Sequence, residues 1–159
     1  MIMFVDLQHK KSLKWITVGV THFPLEEDLK LEATHITRQL ISSQKLPCFV
    51  YGDYNFFDDK DGTSHRNIMY SACTDIAAHL ITEDKQQLSG TFIGFCHDDF
   101  KRSFENMSRL DHVFTPWRNG ISQTGMAVSP FLSEYNLDNS DYNFNYPSDH
   151  LAIKFYIEI

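Results

Sequence analysis

The chain of 159 residues is 42% apolar and 14% aromatic, which is enough for one globular domain with its own core and speaks against intrinsic disorder. Its net charge is −7 and no Lys or Arg falls between Arg118 and Lys154, so it lacks the electrostatic footprint of a protein that coats a long nucleic acid. No apolar run approaches the length of a membrane span, and Met1-Ile2-Met3-Phe4-Val5-Asp6 has neither the basic flank nor the length of a signal peptide, so the expectation is a soluble, cytoplasmic protein with no transmembrane segment.

Met3 to Gln8 and Leu13 to Val20 read as two strands of a hairpin joined by the polar His9-Lys10-Lys11-Ser12, and the second strand delivers Thr21-His22. Pro24 suits a first helical turn and Glu26, Glu27 and Asp28 favour its positive end. Leu29, Ala33, Ile36 and Leu40 then recur at helical spacing, predicting an amphipathic helix from about Leu25 to Ser42 with that stripe inward and His35 on the surface. Pro47 to Val50 is a short buried strand that ends in the turn Tyr51-Gly52-Asp53-Tyr54-Asn55. Asp58-Asp59-Lys60-Asp61-Gly62 resembles a calcium loop only superficially, because aligning its glycine puts Phe57 and Ile68 at the first and last ligand positions. Thr63 or Ser64 caps a short helix through Ser71, and Asp75 to Leu80 adds a further helical turn.

Gln86 to Gly90 is a loop, Gly90 to Phe95 an aromatic edge strand, and Asp98 to Asn106 a polar loop whose Lys101 and Arg102, with Arg109, are cations open to solvent or to a phosphate. Ser108 to Phe114 alternates as a half-buried strand, with Asp111 on the face opposite Leu110. Gly120 to Val128 is another strand and Pro130 to Tyr146 an irregular loop. It leads to Tyr146-Pro147-Ser148-Asp149-His150 and a last strand from Leu151 to Ile157. Cys48, Cys73 and Cys96, odd in number and without CxxC spacing, read as buried reduced thiols.

Three acid-bearing corners therefore touch strand ends: Asp53 with Asn55, Asp111, and Asp149 with His150. Each has a plain structural reading. Asx side chains bond their own backbone in turns, and a strand-end His such as His22 bonds a neighbour. Taken in order, however, Thr21-His22-Phe23, Gly52-Asp53-Tyr54-Asn55, Arg109-Leu110-Asp111-His112-Val113-Phe114 and Ser148-Asp149-His150 resemble the motifs of the endonuclease/exonuclease/phosphatase superfamily of metal-dependent phosphoesterases. The resemblance implies an α/β fold, a deoxyribonuclease-I-like β-sandwich flanked by helices. The Asn and metal-binding Glu of the family's amino-terminal half have no counterpart here, so residues 1–159 resemble a single partial domain, the carboxyl-terminal portion.

By the same resemblance Asp53 would orient and deprotonate a water, Asn55 would fix that water or touch the phosphate, and His22 and His150 would lie at the scissile phosphate, with Asp111 accepting the other N–H of His150. Gly90 to Phe95 likewise resembles a family segment beside the active site, as the alternative to a plain edge strand. Asp149 would help to hold a divalent cation, Mg²⁺ or alternatively Mn²⁺, since oxygen donors suit a hard ion. The implied partner is a phosphate-ester substrate, nucleic acid among the candidates; the superfamily also acts on phosphoinositides and sphingomyelin, and fold alone does not choose. The rival expectation is a non-catalytic interaction module that keeps the fold without the metal-binding Glu. In either case a two-sheet fold short of part of one sheet exposes apolar surface, which implies self-association or a companion chain that supplies the missing half.

Overall fold

The hairpin forms as its pattern requires: β1 (Ile2–Gln8) pairs antiparallel with β2 (Trp15–His22), from Ile2↔Thr21 to Gln8↔Trp15. It is followed by α1 (Glu27–Ser43), β3 (Cys48–Asp53), α2 (Lys60–Tyr70), β4 (Cys73–Asp75), β5 (Ile81–Thr82), β6 (Asp111–Pro116), β7 (Gly125–Ser129) and β8 (Lys154–Ile157). The structure, a computed structural model, describes residues 1–57, 60–78, 81–82, 90–92, 108–117, 125–129, 150 and 153–157. No helix among the described residues is long and apolar enough to cross a membrane.

Two sheets result, one of five strands in the order β1-β2-β3-β6-β4 and one of three in the order β5-β7-β8. β3 runs parallel to β2 and antiparallel to β6. The helical side of the large sheet carries the main core, in which Phe23, Ile41, Val50, Tyr54, Phe56, Met69 and Phe114 are buried together. On the other side Phe49, Ala77 and Val113 meet Ile153 and Phe155 beside β8, so the small sheet lies against the large one. The layering is helices, sheet, sheet, the expected sandwich with helices outside it.

Several local expectations shift, each for a packing reason. In α1 the buried stripe is Lys30, Thr34, Thr37 and Ile41, not Leu29-Ala33-Ile36-Leu40. The helix is turned by one residue, about 100°, and Leu29 and Ile36 are exposed, as is His35. Its polar residues tolerate burial because they find partners: Lys30 Nζ sits 3.3 Å from Glu27 Oε2 and over the Phe57 ring, and Thr34 Oγ1 donates to the Lys30 carbonyl at 2.8 Å. β3 continues through Gly52 and Asp53, so the chain turns only afterwards. Helix α2 begins at Lys60, which places Thr63 and Ser64 inside it and not at its cap.

From residue 112 onward β6 is buried without alternation, because helices cover one of its faces and the small sheet the other. Ser108 and Phe92 join only through an isolated bridge. Cys48 and Cys73 are buried thiols outside any disulfide, and burial, with Cys48 adding, pushes Cys73 up to about 12. Cys96, residues 93–95, Asp98 to Asn106, residues 120–124, Pro130 to Tyr146 and residues 151–152 lie outside the described residues.

Asp75 ends β4, and the turn expected there follows at residues 76–78, where the Ala78 N–H donates to the Asp75 carbonyl at 3.3 Å; residues 79–80 lie outside the described residues. The Asp75 side chain fastens this corner. Its buried Oδ1 accepts the N–H groups of Ala77 at 2.9 Å and Val113 at 3.2 Å. Its Oδ2 meets His112 Nδ1 at 2.7 Å and the Arg109 guanidinium, so one carboxylate ties β4 to β6. Burial by itself would raise Asp75, but the bond and charge of His112 and the charge of Arg109 outweigh it and hold the group below the usual carboxylate range. Burial likewise lowers His112, against the pull of Asp75. The pair is thus carboxylate and neutral imidazole, which leaves His112 Nε2 as a buried lone pair among Tyr54, Phe56 and Phe114.

A carboxyl group held below its unfolded value adds stability above about pH 4, and that contribution is lost as pH falls through the folded value. Asp75→Asn strands Arg109 and His112 and is expected to cost about 3–5 kcal/mol at neutral pH, with a smaller difference in acid. Urea titrations of both proteins at neutral pH and below about pH 4 measure this; a cost that does not change with pH would show that the Asp75 charge is not what holds β4 to β6.

Candidate active site

Strand register assembles the site. The parallel pairing of β2 with β3 sets Thr21 beside Gly52 and His22 beside Asp53, and the antiparallel pairing of β3 with β6 sets Asp53 beside Asp111. His22, Asp53 and Asp111 therefore share one rung across three strands. Gly52 makes the close approach possible: its φ is +151°, and a Cβ there would lie 1.9 Å from the Thr21 carbonyl oxygen. The sharp turn comes at Asn55, whose φ of 51° is in the left-handed region that Asn tolerates.

Three further bonds fix the corner. The Phe23 N–H donates to the Asp53 carbonyl at 2.9 Å, Asn55 Nδ2 to the Phe23 carbonyl at 2.8 Å, and the Tyr54 N–H to the Leu110 carbonyl at 2.9 Å. Asn55 is buried, so its NH₂ serves the fold while its backbone N–H donates to Asp53 Oδ1 at 2.8 Å. The turn anticipated as an alternative to chemistry is present, and it occupies one oxygen of Asp53. The other, Oδ2, stands 3.5 Å from His22 Nε2 and 3.6 Å from His150 Nε2. His150 is held in turn by Asp111, with Nδ1 and Oδ2 2.7 Å apart.

These groups line one cleft of roughly 590 Å³. Leu25, Phe57, Phe92 and Leu110 supply its apolar walls. Leu110 and Asp111 both face it, because the strand begins only at Asp111 and the anticipated alternation does not apply. Phe92 bridges to both Ser108 and His150, with its ring 5.2 Å from the imidazole, and the buried Thr91 Oγ1 accepts the N–H groups of Leu110 and Asp111 at 3.3 and 3.1 Å. Thr91 and Phe92 thus stand behind and beside the rung. The signal for them in the sequence was the resemblance of Gly90 to Phe95 to a family segment beside the active site, with a plain aromatic edge strand as the other reading, and Phe57 had none. Arg109 is bound to Asp75 and is not among the residues lining the cleft. Lys101, Arg102 and Asp149 lie outside the described residues.

Burial pushes the Asp53 carboxyl above its ordinary value; the Asn55 N–H opposes this, Asp111 reinforces it, and His150 and His22 pull weakly downward. No group of three or more His, Cys, Asp or Glu among the described residues is arranged to hold a metal ion. The Asp111 Oδ2 is committed to His150, so the described residues by themselves do not make a magnesium site.

A carboxyl raised in the folded state stabilises most below its unfolded pKa of about 3.9, and that contribution is lost as pH rises through the folded value. Ionised Asp53 therefore costs stability at neutral pH. Asp53→Asn, which retains an oxygen for the Asn55 N–H, is expected to raise stability there by roughly 0.5–1 kcal/mol. Urea denaturation provides the measurement, and a variant less stable than the parent at neutral pH would contradict it.

The fold has clear counterparts among solved structures. A mannosyl-6-phosphatase of Bacteroides thetaiotaomicron VPI-5482 matches 99% of this chain over 57% of its own, at TM-score 0.68 and 18% identity. An endonuclease/exonuclease/phosphatase from Bacteroides vulgatus matches 99% over 55% of its own, at TM-score 0.63 and 20% identity. The beta toxin of Staphylococcus aureus, in a structure with bound magnesium ions, matches 99% over 57% of its own, at TM-score 0.62 and 12% identity. The chain thus spans little more than half the length of these structures, and the resemblance read from its motifs holds at the level of fold. No family model and no curated protein sequence matches it.

Proposed function

We propose that this chain, which has about half of the endonuclease/exonuclease/phosphatase fold, is the carboxyl-terminal portion of a phosphoric ester hydrolase and carries the nucleophile-activating and phosphate-contacting side of its site. The observation that supports this most is the linked set Asp111–His150–Asp53 with His22 on the same rung. An ionised carboxylate can only accept, so Asp111 takes the Nδ1 hydrogen of His150 and turns Nε2 toward Asp53 and the cleft. Protonated there, His150 offers an N–H to a non-bridging phosphate oxygen, and His22 offers a second. Asp53, with Oδ1 anchored and Oδ2 free, accepts the proton of a water as that water attacks phosphorus. Its raised pKa makes it a stronger base than an ordinary carboxylate.

The proposal extends to Mg²⁺, for which Asp149 is the ligand that the motif resemblance supplies, and the bound magnesium of the Staphylococcus aureus beta toxin structure supports it. Such an ion would neutralise phosphate charge. With few oxygen donors in the described cleft, Mg²⁺ is expected to bind the isolated chain weakly. Isothermal calorimetry tests this, and tight binding would mean that further ligands are present.

Hydrolysis of an aryl phosphodiester and an aryl phosphomonoester in Mg²⁺ tests the reaction itself. Asp53→Asn is expected to lower the rate by about 10²–10⁴-fold. Asp111→Asn and His150→Ala should each lower it, and the double variant should fall little further than either single one, since residues that act as a unit are not additive. Fully additive losses would break the proposed link between them. Hydrolysis by the isolated chain should be slow, since it binds Mg²⁺ weakly, and a rate unaffected by Asp53→Asn would remove the base.

A further inference from the structure

The backbone ladder that builds the rung stops just beyond it. β3 and β6 pair as far as Asp53↔Asp111, and one more bond runs from the Tyr54 N–H to the Leu110 carbonyl. Past this point a side chain takes over. Arg66, in the middle of α2, reaches both of the segments that carry the site. Its Nη2 bears two hydrogens, and it donates to the Phe56 carbonyl and, at 3.2 Å, to the Arg109 carbonyl. The peptide between Arg109 and Leu110 is thereby held at both polar ends, since the Leu110 N–H donates to Thr91 Oγ1 at 3.3 Å. The helix is a firm support for such a contact. Gly62 lies one turn before Arg66 on the same face, and a Cβ there would stand 1.6 Å from the Phe57 carbonyl oxygen. Glycine is a poor residue inside a helix, and this close seating of α2 on the backbone that follows Asn55 accounts for it. Beside it His65 stacks on the Phe56 ring, centres 5.5 Å apart, and its Nε2 is 3.1 Å from Glu27 Oε1, which joins α2 to α1.

We propose that Arg66 is a positioning residue for the Asp111–His150–Asp53 set. It is not among the residues lining the cleft, and it acts by fixing the separation of the two segments from which Asp53 and Asp111 project. The inference rests on the proposed role of Asp53 as the base. Phe56 stands three residues after Asp53 and Arg109 two before Asp111, so both carbonyls belong to backbone that moves with a site carboxylate. The distances at stake are short: Asp53 Oδ2 is 3.6 Å from His150 Nε2, and Asp111 Oδ2 is 2.7 Å from His150 Nδ1. His150 is tied to the β6 side. A drift of the Asp53 corner from β6 by about 1 Å would therefore part the base from the imidazole that faces the same phosphate. The residue type suits the task, because a lysine ends one atom short of Nη2 and lacks the planar fork that holds a guanidinium hydrogen on each carbonyl.

In the 159-residue chain, Arg66→Ala is expected to speed hydrogen exchange of the Tyr54 and Asn55 amides on the order of 10-fold, while the β1–β2 amides keep their protection. Hydrolysis of the aryl phosphodiester in Mg²⁺ should lose on the order of 10²-fold in kcat with little change in KM. Added to Asp53→Asn, Arg66→Ala should cost little more, because it acts through that carboxylate; a general loss of folded protein would multiply instead. Arg66→Lys keeps the charge and most of the stem and covers the case in which the alanine variant does not fold. It should show the same pattern at smaller size. The exchange measurement reads the contact whatever the rate of the chain, so a rate indifferent to Asp53→Asn removes the base and leaves the holding of the corner to be decided by exchange. Corner amides unmoved in both variants, protection lost equally throughout the large sheet, or rate losses that multiply with Asp53→Asn would overturn the proposal.

Discussion

The approach of the β2 and β3 backbones at Thr21 and Gly52 is the constraint on which the rest depends. No side chain fits between the Gly52 Cα and the Thr21 carbonyl, and this lets the parallel pairing run on to its last rung, where His22 meets Asp53. The Phe23 N–H then bonds the Asp53 carbonyl, and Asn55 closes the corner from the other side. A strand pair that parted one residue earlier would still bury Thr17 and Phe49, but His22 would hang in solvent away from the carboxylate. Core packing tolerates that change and the site does not.

Asp75, buried, and Asp53, half-buried, have opposite fates. Asp75 fills both its oxygens with backbone N–H groups, an imidazole and a guanidinium, and stays ionised as a cross-link between strands. Asp53 fills only one; its second oxygen faces a cleft with two imidazoles slightly too far away for full hydrogen bonds. The same burial that is offset at Asp75 is left partly uncompensated at Asp53. That residual cost suits Asp53 to the proton-accepting role proposed for it, because an incoming proton relieves it.

The polar and apolar requirements of the large sheet are divided between its ends. Its strand ends at the rung hold the ionisable groups, whereas the β1–β2 face holds Met3, Val5, Leu7 and their partners. The rung draws its stability from β3 and β6, which are covered on both sides. It can therefore be well formed in a chain that spans little more than half of the structures it resembles.

The sequence by itself determined the elements whose signals are local. These are the β1–β2 hairpin, the extent of α1 to within two residues, the strand before Tyr51, the buried thiols at positions 48 and 73, and the order of the acid-bearing corners. Period and turn chemistry are short-range properties, and the motif order carried the fold as well. It could not determine which face of α1 is buried, since Lys30 and Thr34 go inward only because Glu27 and the helix backbone satisfy them. Nor could it reveal the role of Asp75 as a cross-link, since its partners stand at positions 109, 112 and 113. The pairing of Asp111 with His150 across 39 positions was legible only through the motif resemblance, and the wall that Phe57 gives the cleft was decided by tertiary structure. A hydrogen bond or a ring contact depends on distance in space, and strand register, which no single strand contains, sets that distance.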